Sequence, residues 1–180
     1  MNETAGNYIC IGVISYEDEF KEKVVRLVNF LDKFWCDRID FPKDICSFDY
    51  VKNQRECCCV ENMVDCCIRN HMIQARGGFN LEEYEIKNVL FRVESLPNNK
   101  KCFLIEMPEQ QNSIFEDIDK AEEVIIHFFE NISQFHFLYG FCDNEAEPED
   151  ECGYSIYVEY DFAFKIFFQP WKIDGLTGRS

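Results

Sequence analysis

The residues best suited to chemistry in this 180-residue sequence are the cysteines and the histidine between positions 57 and 71. Five Cys and one His fall within these fifteen residues, namely Cys57, Cys58, Cys59, Cys66, Cys67 and His71. Zinc motifs need two converging pairs of ligands spaced two to four residues apart, and this spacing matches no such motif. Only Cys67 and His71 could share a metal on one helix face. We therefore predict no metal site, and we interpret the cysteines as small core residues and surface thiols.

The other residues that could catalyse a reaction form no recognisable pattern. A cysteine nucleophile needs a nearby histidine, but we expect His127 and His136 to be packed among aromatic residues. With 34 acidic residues, no single pair of carboxylates is informative. Neither Gly77-Gly78 nor Gly175 to Gly178 has the spacing of a phosphate-binding loop. We predict no catalytic residue and no cofactor, so the protein is not expected to be an enzyme. A thiol or zinc enzyme that uses Cys57 to His71 is the alternative.

The strongest indication of function is the acidic segment, Asp143 to Gly153, with the sequence DNEAEPEDECG. It contains no base, Pro148 stiffens its middle, and the segment joins two stretches of aromatic strand residues. Anchored carboxylates of this kind attract and steer a basic protein. The predicted partner-binding residues are Asp143, Glu145, Glu147, Glu149, Asp150 and Glu151. The alternatives are a solvated connection or a weak calcium site, although the D-x-D-x-D-G spacing of a calcium loop is absent.

The composition restricts both the partner and the compartment. The net charge of −16 disfavours binding to nucleic acid or anionic membranes and favours a basic protein as the partner. The alternative is that the charge only keeps a Phe-rich protein soluble. The 11 cysteines are an odd number with adjacent runs, which does not suggest a disulfide framework. We find no signal peptide and no apolar run of about 18 residues. We therefore expect a cytoplasmic protein with reduced thiols that does not bind a membrane.

The elements that must position these residues follow from the hydrophobic pattern. We predict a central strand from Tyr8 to Ile14 and a helix from Glu17 to Cys36, capped by Ser15. A short strand or loop is expected near Cys46 to Val51, followed by a helix from Cys57 to Met72. Gly77-Gly78 is interpreted as a break, with Asn80 capping a short turn.

The second half of the sequence predicts mostly antiparallel strands. Val89 to Leu96 and Lys101 to Met107 form a hairpin around Pro97-Asn98-Asn99, and a second helix runs from Ser113 or Phe115 to Ile132. Phe135 to Phe141 alternates as a strand. Tyr154 to Gln169 is too long for one strand, so it bends or forms a hairpin near Asp161. The expected main core aromatics are Phe128, Phe129, Phe162, Phe164 and Phe168.

These elements define an α+β fold, with a mainly antiparallel sheet packed against two or three amphipathic helices. Residues 1–180 are expected to form a single domain, with flexible ends at 1–7 and 170–180. The sequence does not define the oligomeric state.

The passage FHFLYGFCDNEAEPED, which follows an amphipathic helix, resembles small bacterial immunity proteins that neutralise polymorphic toxins. The resemblance covers size, acidity, the lack of catalytic motifs and the region from about Phe115 to Asp150. It implies a cognate toxin, a basic enzyme such as a nuclease, whose active site is blocked by direct occlusion. The alternative binding function is an acidic mimic of nucleic acid that inhibits a host defence protein.

Overall fold

The computed structural model describes residues 7–39, 48–49, 54–55, 60–69, 75–145, 155–160 and 165–168. Within these ranges, eight strands form one sheet and three α-helices pack against it. The strands of the sheet are β1 (Tyr8–Tyr16), β2 (Asp32–Ile39), β5 (Ala75–Leu81), β6 (Tyr84–Leu96), β7 (Lys100–Pro108), β8 (Tyr139–Asn144), β9 (Ile156–Glu159) and β10 (Lys165–Phe168). A separate pair consists of β3 (Phe48–Asp49) and β4 (Gln54–Arg55).

The helices are α1 (Glu17–Phe30), α2 (Val60–Arg69) and α3 (Ile118–Asn131). The order of strands across the sheet is β10-β9-β8-β1-β7-β6-β5-β2, and every neighbouring pair is antiparallel. The predicted α+β class with a mainly antiparallel sheet is confirmed. No helix in the described ranges combines the length and the apolar character that crossing a membrane requires.

The two faces of the sheet carry different side chains because neighbouring residues of a strand point to opposite sides. On one face, Ile9, Ile11 and Val13 of β1 belong to the main core together with buried residues of the three helices. Cys10 and Ile14 belong to a second buried cluster on the other face. β1 is apolar on both faces, as expected of a central strand.

The helix α1 ends six residues earlier than predicted, and the chain enters β2 at Asp32. Leu31, the residue after α1, is extended with φ of −62° and ψ of 128°, which ends helical geometry. The strand then places Phe34 against Phe91 in the main core, with ring centroids 5.5 Å apart. The ring of Trp35 covers Gly78, where a Cβ would come within 2.3 Å of it.

Several boundaries at turns also differ from the prediction. Ser15 lies inside β1 and does not cap α1, which begins without a side-chain cap. Gly77 and Gly78 lie within β5, and Asn80 is a strand residue that pairs with Asp32. These residues belong to a strand because the backbone of β5 forms hydrogen bonds with β2 on one side and with β6 on the other.

The hairpin around Pro97-Asn98-Asn99 is confirmed, with Leu96 paired to Lys100. The second predicted helix, from Ser113 or Phe115 to Ile132, corresponds to α3. It begins later than predicted, at Ile118, after a short 3₁₀ turn at Ser113–Glu116. Asp117 caps α3 by accepting hydrogen bonds from the amides of Asp119 and Lys120.

The strand predicted from Phe135 is wrong at its start. Residues Ile132–Phe135 form a 3₁₀ turn, and β8 begins only at Tyr139. The hairpin in Tyr154 to Gln169 is confirmed, because β9 pairs antiparallel with β10.

The predicted core is confirmed on α3, where Phe128 and Phe129 are buried. Phe162, Phe164 and the side chain of Phe168 lie outside the described residues. The segments at 1–6 and 169–180 also lie outside the described residues.

Candidate functional site

The structure divides the predicted acidic site. Asp143 lies in β8 with 0% exposure, and it accepts hydrogen bonds from the Ser155 amide at 3.0 Å and the Ser155 hydroxyl at 2.8 Å. Its carboxylate therefore holds β8 to the start of β9 and does not form part of an exposed acidic edge. Glu145 is exposed just beyond β8. The remaining predicted residues lie outside the described ranges: Glu147, Glu149, Asp150 and Glu151.

The four cysteines whose side chains the structure describes are in environments that disfavour reaction. Cys10, Cys67, Cys102 and Cys142 are buried thiols. Burial and then the nearby charges of Asp143 and Cys10 raise the pKa of the Cys142 thiol, so the reactive thiolate is disfavoured. Cys57 to Cys59 and His71 lie outside the described residues. Across the part of the chain that the structure describes, no group of three His, Cys, Asp or Glu residues is placed to hold a metal ion.

The two described histidines are on the surface, so the prediction that they are packed among aromatics is wrong. His136 is exposed in a left-handed conformation with φ of 58°, where the 3₁₀ turn after α3 ends. His127 projects from α3, and its Nδ1 lies 3.3 Å from a carboxylate oxygen of Glu82. This contact joins α3 to the turn between β5 and β6, and it marks the rim of a groove.

The groove lies where the end of α1, the β5–β6 turn and α3 meet, and we call it the α1–α3 groove. It has a volume of about 180 Å³ and is lined by Phe30, Leu31, Asp32, Asn80, Leu81, Glu82, Val124, Phe128 and Asn131. Each of the three elements contributes three of these residues. The backbone pairing of Asp32 with Asn80 connects two of the walls.

The groove has an apolar floor and a polar rim. Its buried residues are all apolar: Leu31, Leu81, Val124 and Phe128. The rim carries the exposed carboxylates of Asp32 and Glu82 and the amide of Asn131. Phe30 is 43% exposed and contacts Phe135 edge to face, with centroids 5.6 Å apart. An exposed aromatic ring beside an apolar floor is a surface that a partner can desolvate when it binds, as happens at interface hot spots.

The surface next to the groove is acidic. On α3, Glu123 and Glu130 are exposed on either side of His127, one turn before it and one turn after it. The β5–β6 turn adds Glu83. Among the described residues, no Lys or Arg forms an ion pair with Asp32 or Glu82. The groove therefore combines an apolar cavity with a rim whose two carboxylates have no Lys or Arg ion pair among the described residues, although His127 contacts Glu82.

A second depression lies between the start of α1 and the β6–β7 turn. It is larger, with a volume of about 730 Å³, and is lined by Tyr16, Glu17, Asp18, Glu19, Asn98 and Asn99. Lys101 lies 3.7 Å from Glu17, and Lys100 lies over the ring of Tyr16, so bases already occupy part of this surface. All of its lining residues are exposed. It therefore lacks the buried apolar floor that an anchoring side chain needs.

The sequence prediction missed the α1–α3 groove for a definable reason. The apolar pattern places Phe30 and Leu31 inside a helix that continues to Cys36, so it does not mark them as the end of that helix. It predicts a short turn capped by Asn80 and not a strand that reaches Leu81. One signal was available in the sequence, because Glu82-Glu83 separates two apolar stretches by two residues, which is the length of a tight hairpin.

Comparison of the chain with protein-family models, with curated protein sequences and with solved structures found no match. The groove and the charges around it are therefore the features of this chain that bear on its function.

Proposed function

We propose that this protein is a stoichiometric inhibitor that binds a basic partner enzyme, and that it acts as an immunity protein against a cognate toxin in the cytoplasm. The observation that supports the proposal is the α1–α3 groove, an apolar cavity whose rim carries carboxylates with no Lys or Arg partner among the described residues. Interface hot spots lie in pockets that become fully desolvated when the complex forms, and an apolar floor with a polar rim is suited to this.

The net charge supports the same proposal. At −16, the molecule attracts a basic protein from a distance and repels nucleic acid. Complementary charge raises the rate of encounter, while the groove supplies the contact that sets the lifetime of the complex. Inhibition then follows by occlusion, because a bound protein of this size covers the partner's active site without any chemistry of its own.

The test begins with capture of the partner. The tagged chain is expressed in its native cell, and the proteins bound to it are eluted with a salt gradient. We expect a basic protein that elutes as salt screens the complex, since exposed charges interact over about 8 Å at 0.15 M salt and about 3 Å at 1 M.

The captured protein is then purified, and its enzymatic activity is titrated with the chain. A loss of activity that ends at one chain per enzyme supports a stoichiometric inhibitor. An enzyme that keeps its activity when saturated with the chain would contradict inhibition. A captured nucleic-acid-binding defence protein would instead support the acidic mimic.

A further inference from the structure

The α1–α3 groove also indicates which side chain it receives. We propose that it is an anchor site for one arginine of the basic partner, with the arginine's alkyl chain on the apolar floor and its guanidinium at the acidic rim. This inference rests on the proposed function and names the chemistry of its contact. Three properties of the groove support arginine: its size, its aromatic wall and the two carboxylates at its rim.

The size of the groove suits a single side chain. Sites for small molecules and cofactors usually have volumes of roughly 300–1,000 Å³. The α1–α3 groove, at about 180 Å³, is smaller than that range. A long side chain inserted from a protein surface fills such a cavity without requiring an enclosed pocket.

The aromatic wall favours a flat cation. Phe30 is 43% exposed at the edge of the groove, while its contact with Phe135 restrains the ring from one side. A guanidinium stacks on an aromatic face, and its weaker hydration makes it less costly to desolvate than an ammonium. A Leu or Ile side chain would use the floor but would make no ion pair with the rim carboxylates.

The rim supplies acceptors from two different elements. Asp32 follows α1 and Glu82 lies in the β5–β6 turn, and both carboxylates are exposed. Arginine presents five N–H donors in a planar fork, so it can donate to two carboxylates at once, which a lysine ammonium does with poorer geometry.

Glu82 has an unfavourable backbone conformation at this position. Its φ is 54°, in the left-handed region, at the first residue of a two-residue hairpin turn, where Gly is usually favoured. The variant Glu82→Gly should therefore relieve backbone strain while it removes the carboxylate. This variant separates a loss of binding from a loss of folding, because its stability is expected to be unchanged or higher.

The first experiment needs no partner. The chain is titrated with N-acetyl-arginine amide up to millimolar concentrations and followed by NMR, with N-acetyl-citrulline amide as the neutral control of the same shape. We expect saturable shifts at Phe30, Glu82 and Phe128 with the arginine probe, and at least fivefold weaker binding of citrulline. Equal binding of N-acetyl-lysine amide or N-acetyl-leucine amide, or no saturable shift at these residues, would overturn the proposal.

The second experiment uses the captured partner. Phe30→Ala and Glu82→Gly should each raise the dissociation constant about 10- to 100-fold, the range expected of a hot-spot residue. The matched control is Glu116→Gln, an exposed acid outside the groove, which should change the constant less than threefold.

The two proposals fail in different ways. If the partner is inhibited but the groove variants bind it as tightly as the wild type, the arginine site is wrong and the inhibitor function stands. If no partner is inhibited but the arginine probe saturates the groove, the inhibitor function is wrong and the site stands.

Discussion

Asp143 and Glu145 are two residues apart in the acidic segment, yet they lie in opposite environments. Asp143 is fully buried and accepts hydrogen bonds from the amide and hydroxyl of Ser155. Glu145 is exposed at the end of β8, in a left-handed conformation with φ of 50°. A carboxylate that satisfies buried donors cannot also meet a partner. The density of acidic residues in a sequence therefore overestimates the acidic surface available for binding.

This difference predicts different effects on stability. Asp143→Ala removes the buried carboxylate that accepts hydrogen bonds from the amide and hydroxyl of Ser155, which should lower the free energy of unfolding by about 1–3 kcal/mol. Glu145→Ala removes only an exposed side chain and should change the free energy by less than about 0.5 kcal/mol. Urea unfolding of the two variants measures both values. Equal effects would show that Asp143 does not hold β8 and β9 together.

The helix α3 forms one wall of the groove, so its position on the sheet matters to the site. Phe129 packs on Gly140 of β8, where a Cβ would come within 2.7 Å of the ring and 3.1 Å of the carbonyl oxygen of Gly12. The hydroxyl of Tyr160, just after β9, donates a hydrogen bond to the carbonyl of Phe129 at 2.8 Å. Close contact and this hydrogen bond fix α3 over the centre of the sheet.

Gly140→Ala tests this packing. The added methyl group must displace the Phe129 ring, and overpacking of this kind costs roughly 1–3 kcal/mol. In a Phe129→Leu background, the ring is absent and the same substitution should cost less. A double-mutant cycle measured by urea unfolding gives the coupling between the two positions. Strictly additive costs would mean that contact with the backbone, rather than the ring, opposes the methyl group.

The end of α1 shows why the sequence predicted some elements better than others. Phe34 and Trp35 continue the apolar spacing of the helix, so the pattern alone favours a helix up to Cys36. Aromatic residues also suit strands, and their contacts with Phe91 and Gly78 decide between the two. These contacts join residues more than 40 positions apart along the chain, which local periodicity does not detect.

At the scale of the whole molecule, the sequence predicted the class of the fold but not the groove. Alternating apolar residues and the Pro97-Asn98-Asn99 turn were enough to identify antiparallel strands. The groove depends on how three separate elements meet, and each contributes residues that look ordinary in isolation. Phe30, for example, is one apolar residue of a helix in the sequence, and only the meeting of α1 with the β5–β6 turn and α3 places its exposed ring beside a groove.

The net charge of −16 also affects the stability of the folded state. Folding brings the carboxylates closer together than in the unfolded chain, so their repulsion destabilises the compact state. On α3 and the residues just before it, the exposed acids are Glu116, Asp117, Asp119, Glu123 and Glu130, whereas Lys120 is only partly exposed. Salt screens this repulsion, because the Debye length falls from about 30 Å at 0.01 M to about 8 Å at 0.15 M.

We therefore expect NaCl to raise the melting temperature between 0.01 M and 0.15 M, while the same salt weakens binding to a basic partner. Calorimetry in NaCl measures the first effect, and sulfate is avoided because it strengthens apolar burial independently of charge. The control is the triple variant Glu116→Gln, Glu123→Gln and Glu130→Gln, which has less repulsion to screen and should show a smaller rise. A melting temperature that falls with salt in the wild type would show that attractive ion pairs outweigh repulsion in the folded state. In that case the acidic surface would stabilise the fold itself, and a basic partner would not be needed to explain its charge.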